Sequence, residues 1–387
     1  MTYSNMLELS NYFIIDSTDN KPRKDLENLE LTNRGIIFKS LPDDNHKMVA
    51  STFPYTEEFG INNIVEIENL MIKNEYSFYK SYEGTIIRVI HDEQEGVIKR
   101  LVATHKKLDA FESYWGSYVS YGELFQNEIY SMFLKHNPDS ELSNDKVFEL
   151  FLDSLDTSLH YTFLLTSNDE NKIVSSLNNK IFFAGSFDRE TNKYNPPETT
   201  NSSQLFPFDI PEQINFKTSQ DIIDYIEKVD YKESQGILAI QKDEFKLFKV
   251  INDEYSRKTL LRGNNSSLIH RYLQLKFIGD DQMFFEFMDL FNYKIQLFQQ
   301  IESDIQNLAL YIHSVYYARY IEKTFVYVNP VFHSVLKSIH YWHNMDKRKN
   351  ITTLKVVYQK LQETDYNTVY KLMKEYKKLC EEGKILL

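Results

Sequence analysis

The sequence predicts an α+β body followed by an all-helical C-terminal domain. Up to about residue 260, short runs rich in Val, Ile, Phe and Leu alternate with loops. Such runs suit half-buried or buried strands. After about residue 268 the apolar residues recur at helical spacing over long stretches, from "QMFFEFMDLFNYKIQLFQQ" to "YNTVYKLMKEYKKLCEE". A chain of 387 residues, 42% hydrophobic and with only 11 Gly and 9 Pro, has material for two compact domains. We place them at 1–265 and 266–387.

The elements follow in order. Strands are expected at "RGIIFKSL" (34–41), "TIIRVIHD" (85–92), "VIKRLVATH" (97–105), "YTFLLTS" (161–167), "KIFFAGSF" (180–187), "GILAIQKD" (236–243) and "FKLFKVIN" (245–252). The intervening "DEQEG" (92–96) reads as a hairpin turn. Residues 120–136 place Leu124, Phe125, Ile129, Met132 and Phe133 near one helical face. Further helices are expected at 144–155 and at 219–229, the latter with Ser219 as N-cap. Segment 189–215 holds four of the nine prolines and reads as a surface loop.

Charge and cysteine content limit the function classes. Net charge is −12, which argues against nonspecific polyanion binding by the chain as a whole. The balance is uneven: residues 313–387 carry 13 Lys/Arg against 7 Asp/Glu. A basic end on an acidic body suits either a nucleic-acid face or a solvated helical surface. A lone cysteine, Cys380, allows no disulfide within the chain and fits a reducing compartment. The start carries no signal-peptide pattern and no 18-residue apolar run occurs, so a cytoplasmic protein without a membrane partner is expected.

Five segments carry candidate chemistry. "LTNRGIIFKS" (31–40) offers Arg34 before a strand. "YKSYEGTIIRVI" (79–90) offers Lys80, Ser81, Glu83 and Gly84. "YTFLLTSNDENKIV" (161–174) offers Leu164, Asn171 and Lys172. "KESQGILAIQKD" (232–243) offers Glu233, Gln235 and Gly236. "FKLFKVINDEY" (245–255) offers Lys249 and Ile251. Side chains alternate along a strand, so Lys80 and Ser81 must point to opposite faces unless a bulge intervenes. Glu233, two residues before Gln235, is expected to share its face.

In this order the segments resemble the ATP-dependent RNA ligases of the covalent nucleotidyltransferase superfamily. More closely they resemble the RNA-ligase-like proteins of large DNA viruses. The resemblance covers roughly residues 30–260 and implies an RNA ligase/capping-enzyme-like nucleotidyltransferase domain. In that family a lysine, any residue, an acid and a glycine form the nucleotide-binding entry, and the lysine amine attacks the α-phosphate. Glu83 and Gly84 match the acid and the glycine, but the lysine position falls on Ser81, with Lys80 one residue early. The family's ribose-binding glutamate falls on Leu164 or a neighbour. Its second carboxylate falls on Gln235, a poor Mg²⁺ ligand. Of its two strand lysines Lys249 remains and Ile251 replaces the other. Arg34, Lys172, His105 and Lys106 are further candidates for nucleotide or RNA contact, and Tyr79, Tyr82 and Phe163 for base stacking.

The resemblance therefore implies a fold kept while charge has been stripped from its phosphate and metal site. An RNA-binding protein that reads a 5′ end or cap without covalent transfer is expected. Alternatives are an active ligase that uses Lys80 with ATP and Mg²⁺, and a structural subunit on the same platform. The helical domain offers a surface for protein partners. His333, His340 and His343 have helical metal-ligand spacing, yet no cysteine or acid completes the set, so no metal site is expected. Trp342, Lys347, Arg348 and Lys349 form a candidate RNA-facing patch.

Overall fold

The computed structural model describes residues 6–15, 35–42, 45–54, 56–72, 75–116, 118–167, 173, 179–197, 205–241 and 246–384. Arg34, Asn171 and Lys172 lie outside the described residues. The chain divides into two compact units, 1–259 and 260–387.

In the first unit β1 (Tyr12–Ile15), β2 (Ile36–Ser40) and β3 (His46–Ala50) form a small antiparallel sheet. Next come β4 (Glu57–Gly60), α1 (Ile64–Met71) and β5 (Tyr76–Ser81). The hairpin β6 (Thr85–Gln94) and β7 (Val97–Thr104) turns at Glu95 and Gly96, both at positive φ, as a tight two-residue hairpin requires. Helices α2 (Tyr121–His136) and α3 (Asn144–Asp153) follow. Ser120 and Glu123 cap α2 reciprocally, so two of its free N–H groups are satisfied at the entry. Then come β8 (Leu159–Thr166), β9 (Lys180–Asp188), β10 (Tyr194–Asn195), β11 (Gln213–Ile214), α4 (Ser219–Lys228), β12 (Gly236–Gln241) and β13 (Leu247–Ile251).

Two five-stranded sheets dominate, ordered β10-β9-β8-β6-β7 and β11-β5-β12-β13-β4. Pairing is antiparallel except for β13 on β4. Each sheet turns an apolar face to helices. On the first, Ile87, Val89, Phe163 and Leu165 pack with Phe125, Ile129, Phe148 and Phe151 of α2 and α3. Each buried Phe contributes roughly 2–3 kcal/mol. On the second, Phe78, Ile237, Ala239 and Val250 pack with Ile67 of α1 and Ile222 and Ile226 of α4.

Helix α5 (Asp253–Arg262) leads into the second unit, which holds α6 (Leu268–Ile278), α7 (Asp281–Leu290), α8 (Ile295–Tyr316), α9 (His333–Met345), α10 (Leu354–Gln362) and α11 (Tyr366–Glu381). Long α8 runs through its core, with Ile301, Ile305, Leu308 and Ile312 buried at helical spacing. One π-helical turn, Tyr317–Ile321, ends it.

Several expectations need correction. Thr218, not Ser219, caps α4: its hydroxyl accepts from the Asp221 N–H, and Asp221 returns the bond to the Thr218 N–H. Segment 189–215 is not simply a surface loop. Its β10 and β11 pair with β9 and β5, and Phe206 is fully buried. Phe163 is excluded as a base stacker, because strand alternation sends its ring into the α2–α3 core.

Candidate functional site

The inward faces of the two large sheets border one cavity of about 220 Å³ in the first unit. From one sheet come Ile86, Leu164 and Ala184; from the other come Tyr79, Ser81, Leu238 and Lys249. Register explains the second set. Tyr79 pairs with Leu238, and Leu238 with Lys249, so the three form one row across β5, β12 and β13. The next row is Ser81, Gly236 and Ile251. Lys80 sits between these rows, beside Ile237 and Val250, in the row that faces α4.

Two glycines let the strands come this close. A Cβ on Gly84 would meet the Leu165 carbonyl oxygen at 2.5 Å. A Cβ on Gly236 would meet the Val250 oxygen at 2.1 Å, and its φ of +143° is one that other residues avoid.

At the polar end of the cavity the groups bind one another. The Ser81 hydroxyl donates to Gln235 Oε1 at 3.1 Å, and the Lys249 ammonium donates to the same oxygen at 3.1 Å. Lys249 also reaches Glu58 Oε1 at 3.4 Å. Gln235 Nε2 donates to the Tyr255 hydroxyl at 2.8 Å. Burial, and then the charge of Glu83, hold that hydroxyl's proton far above the usual phenol range. Glu83 is itself buried and accepts the Ile173 N–H at 3.1 Å. The acid of the nucleotide-entry segment is thus buried against Ile173 and Tyr255 and is not among the residues that line the cavity.

Lys80 borders the cavity, yet its ammonium lies 3.6 Å from Glu233 and 5.8 Å from the Tyr82 ring centre. Glu233 lies in the turn before β12, so strand alternation does not put it on the face of Gln235. Its carboxylate is 60% exposed, and such a pair contributes at most about 1 kcal/mol. His105 lines the cavity, and Lys106 is exposed beside it. Aromatic walls complete it: Phe53, Tyr79, Tyr82 and Tyr194. Tyr82 stacks on Phe182 with ring centres 4.4 Å apart, and burial pushes its hydroxyl up to about 12.

The donor set does not fit a Mg²⁺-triphosphate. Ser81, Gln235 and Lys249 offer no carboxylate to a metal, and the nearby acids are engaged: Glu58 with Lys249, Glu233 with Lys80 and Glu83 with the Ile173 N–H. Among the described residues no group of three or more His, Cys, Asp or Glu is placed to hold a metal ion.

Sequence reasoning missed Tyr255, Glu58 and Arg88. Gln235 is 20 residues from Tyr255, and Lys249 is 191 from Glu58, so only the fold joins them. Arg88 is 1% exposed on the inward face of β6. Its guanidinium donates to the Gly35 oxygen at 2.6 Å and the Thr104 oxygen at 3.0 Å, tying the segment after Arg34 to the one before His105. Burial alone pushes it down to about 9, so it stays charged at neutral pH.

No family model matches the chain. It is similar to the immediate-early protein ICP-46 homolog of Invertebrate iridescent virus 6, with 26% identity over 92% of this chain and 79% of that protein. The homolog of Invertebrate iridescent virus 3 is 26% identical over 79% of this chain and 63% of that protein. Immediate-early protein ICP-46 of Frog virus 3 is 24% identical over 52% of this chain and 51% of that protein. Among solved structures it is similar to the Naegleria gruberi RNA ligase with PPi, at a TM-score of 0.35 and 13% identity, over 54% of this chain and 59% of that chain. An apo mutant of a Naegleria gruberi RNA ligase gives 0.34 and 10% identity, over 61% of this chain and 70% of that chain. The chain spans less than two thirds of the PPi-bound ligase and of the last two viral relatives. Described residues include no helix long and apolar enough to cross a membrane.

Proposed function

We propose that the first unit is an RNA-ligase-like nucleotidyltransferase fold that holds a nucleotide, such as the 5′ end or cap of an RNA, without becoming covalently attached to it. The observation that carries this is the placement of two adjacent residues. Ser81 lines the cavity at the position where the resemblance calls for the attacking amine, while Lys80, one register row away, borders the cavity with its ammonium 3.6 Å from the Glu233 carboxylate. A nucleophile must lie in line with the phosphorus at close range. Lys80 would reach that position only if β5 acquired a bulge and its pair with Glu233 broke. Serine is no substitute, because its hydroxyl is spent on Gln235 and no base lies beside it among the described partners.

The cavity's chemistry suits a base better than a phosphate chain. Tyr79, Tyr82, Phe53, Leu164 and Leu238 supply flat and apolar walls. Stacking and burial of a base need no metal. Lys249 alone faces the cavity as a lysine on β13, enough for one phosphate contact once a ligand oxygen replaces Gln235 Oε1.

The test is equilibrium binding of ATP, GTP and a capped RNA oligonucleotide, in Mg²⁺ and in EDTA. Affinity is expected to be the same in both and to be lost in Leu238→Trp, whose indole fills the cavity. Affinity abolished by EDTA, or unchanged in Leu238→Trp, would overturn the proposal.

A further inference from the structure

We infer that the second unit carries a docking surface for single-stranded RNA of its own, built around the π-helical turn at the end of α8 and the extended link to α9. It belongs to the second unit, whereas the cavity is built from residues of the first, and it does not depend on what the cavity binds.

The link begins with an exposed Lys323 at a φ of +59°, unusual for a residue other than glycine. The stretch that follows alternates like a strand. Val326 and Val328 pack into the helical core. Phe325 and Tyr327 point the other way, 97% and 75% exposed. The two aromatics are therefore held out by their buried neighbours. A monomer gains nothing from presenting large apolar rings to water in this fixed way, and such a patch marks an interaction site.

The surroundings indicate the partner. Just before the link, Arg319 lies over the Tyr320 ring at 5.9 Å, and Tyr320 stacks on His340 of α9 at 4.1 Å. The π-turn and α9 are thus joined by a ring stack, with the exposed Tyr317 and Tyr341 on the same two elements. Residues 313–350 hold six Lys/Arg (319, 323, 337, 347, 348 and 349) against two Asp/Glu, in a chain of net charge −12. All six basic side chains are exposed. Among the described residues, Lys349 alone of the six has a carboxylate partner, Asp346 at 3.7 Å. Exposed rings interleaved with cations match bases and phosphates of a single strand: rings stack on bases of any sequence, and cations follow the backbone. A rigid duplex hides its base faces and cannot use Phe325 or Tyr327 in this way.

The experiment uses the full chain and a fluorescein-labelled 20-nucleotide oligouridylate, with a duplex RNA of equal length for comparison. Anisotropy is expected to show binding of the single strand that weakens as salt rises from 50 to 200 mM, with weaker binding of the duplex. Phe325→Ala/Tyr327→Ala should bind roughly thirty-fold more weakly or worse. Arg319→Ala/Lys337→Ala should flatten the salt dependence by about one and a half units of slope. Both variants should keep the wild-type affinity for the cavity's nucleotide, which separates this inference from the cavity proposal. Absence of salt-dependent binding, or wild-type binding by both variants, would overturn it. So would a surface used by a second copy of the chain, seen as a dimer in sedimentation that the aromatic double variant dissolves without any change in RNA affinity.

Discussion

The two faces of the β5–β12–β13 sheet are built from alternate residues of the same strands and do opposite work. The face toward α1 and α4 carries the buried, apolar Phe78, Ile237, Ala239 and Val250, with Lys80 in the row of Ile237 and Val250. The inward face carries Ser81, Tyr79, Leu238 and Lys249, which line a cavity, and of these Ser81 and Lys249 are bonded to Gln235. The first sheet repeats the contrast. Ile87, Val89, Phe163 and Leu165 pack on helices, while Ile86, Arg88 and Leu164 turn inward. A shift of one residue along a strand therefore exchanges a packing role for a chemical one. Lys80 and Ser81 stand on either side of that divide.

The contrast can be broken by substitution. Ile237→Ala removes a fully buried side chain and should destabilise the first unit by about 4 kcal/mol in urea unfolding. Its neighbour Leu238→Ala, on the half-buried inward face, should cost about 1 kcal/mol. Equal losses would mean that the two faces do not differ as described.

The polar side of the first sheet predicts a pH effect. His160 is buried, its Nδ1 accepts the His91 N–H and its Nε2 reaches the Val49 oxygen, an arrangement that needs a neutral ring. Burial pushes it from 6.5 down to about 4. A depressed value means that the unfolded chain takes the proton first. Stability is full above pH 6.5 and falls by about 3 kcal/mol as pH drops to 4. Unfolding at a series of pH values should show His160→Gln losing less over that interval than the wild type. Next in size is Lys249→Ala. It should weaken binding of a phosphate-bearing ligand roughly ten-fold, while stability changes by less than about 1 kcal/mol, because its partner Glu58 is half exposed.

Much of this architecture can be read from the chain, for physical reasons. β6, β8, β9, β12 and β13 are dense in Val, Ile, Phe and Leu, and such runs announce themselves. The helical unit is legible because its apolar residues keep helical spacing over long stretches. β4 was not, because "EEFG" has no strand signature and is held by its parallel pairing with β13, nearly 200 residues later. Phe206 was hidden in a proline-rich stretch whose composition suggests only surface. At the site, parity along β5 separates Lys80 from Ser81 on sequence grounds. The bonds that engage Gln235 and Glu83 could not be foreseen, since Tyr255 enters from a helix after β13. Arg88 was overlooked because a charged residue inside a β-branched run reads as an edge, not as a buried tie between two loops.

The most direct test of the missing amine is transfer itself. Purified protein is incubated with α-³²P-labelled ATP or GTP and Mg²⁺, and label on the polypeptide is sought that survives alkali and is lost in hot acid, as a phosphorus–nitrogen bond requires. We expect no label on the wild type and none on Lys80→Ala. Label on the wild type that disappears in Lys80→Ala would contradict the account.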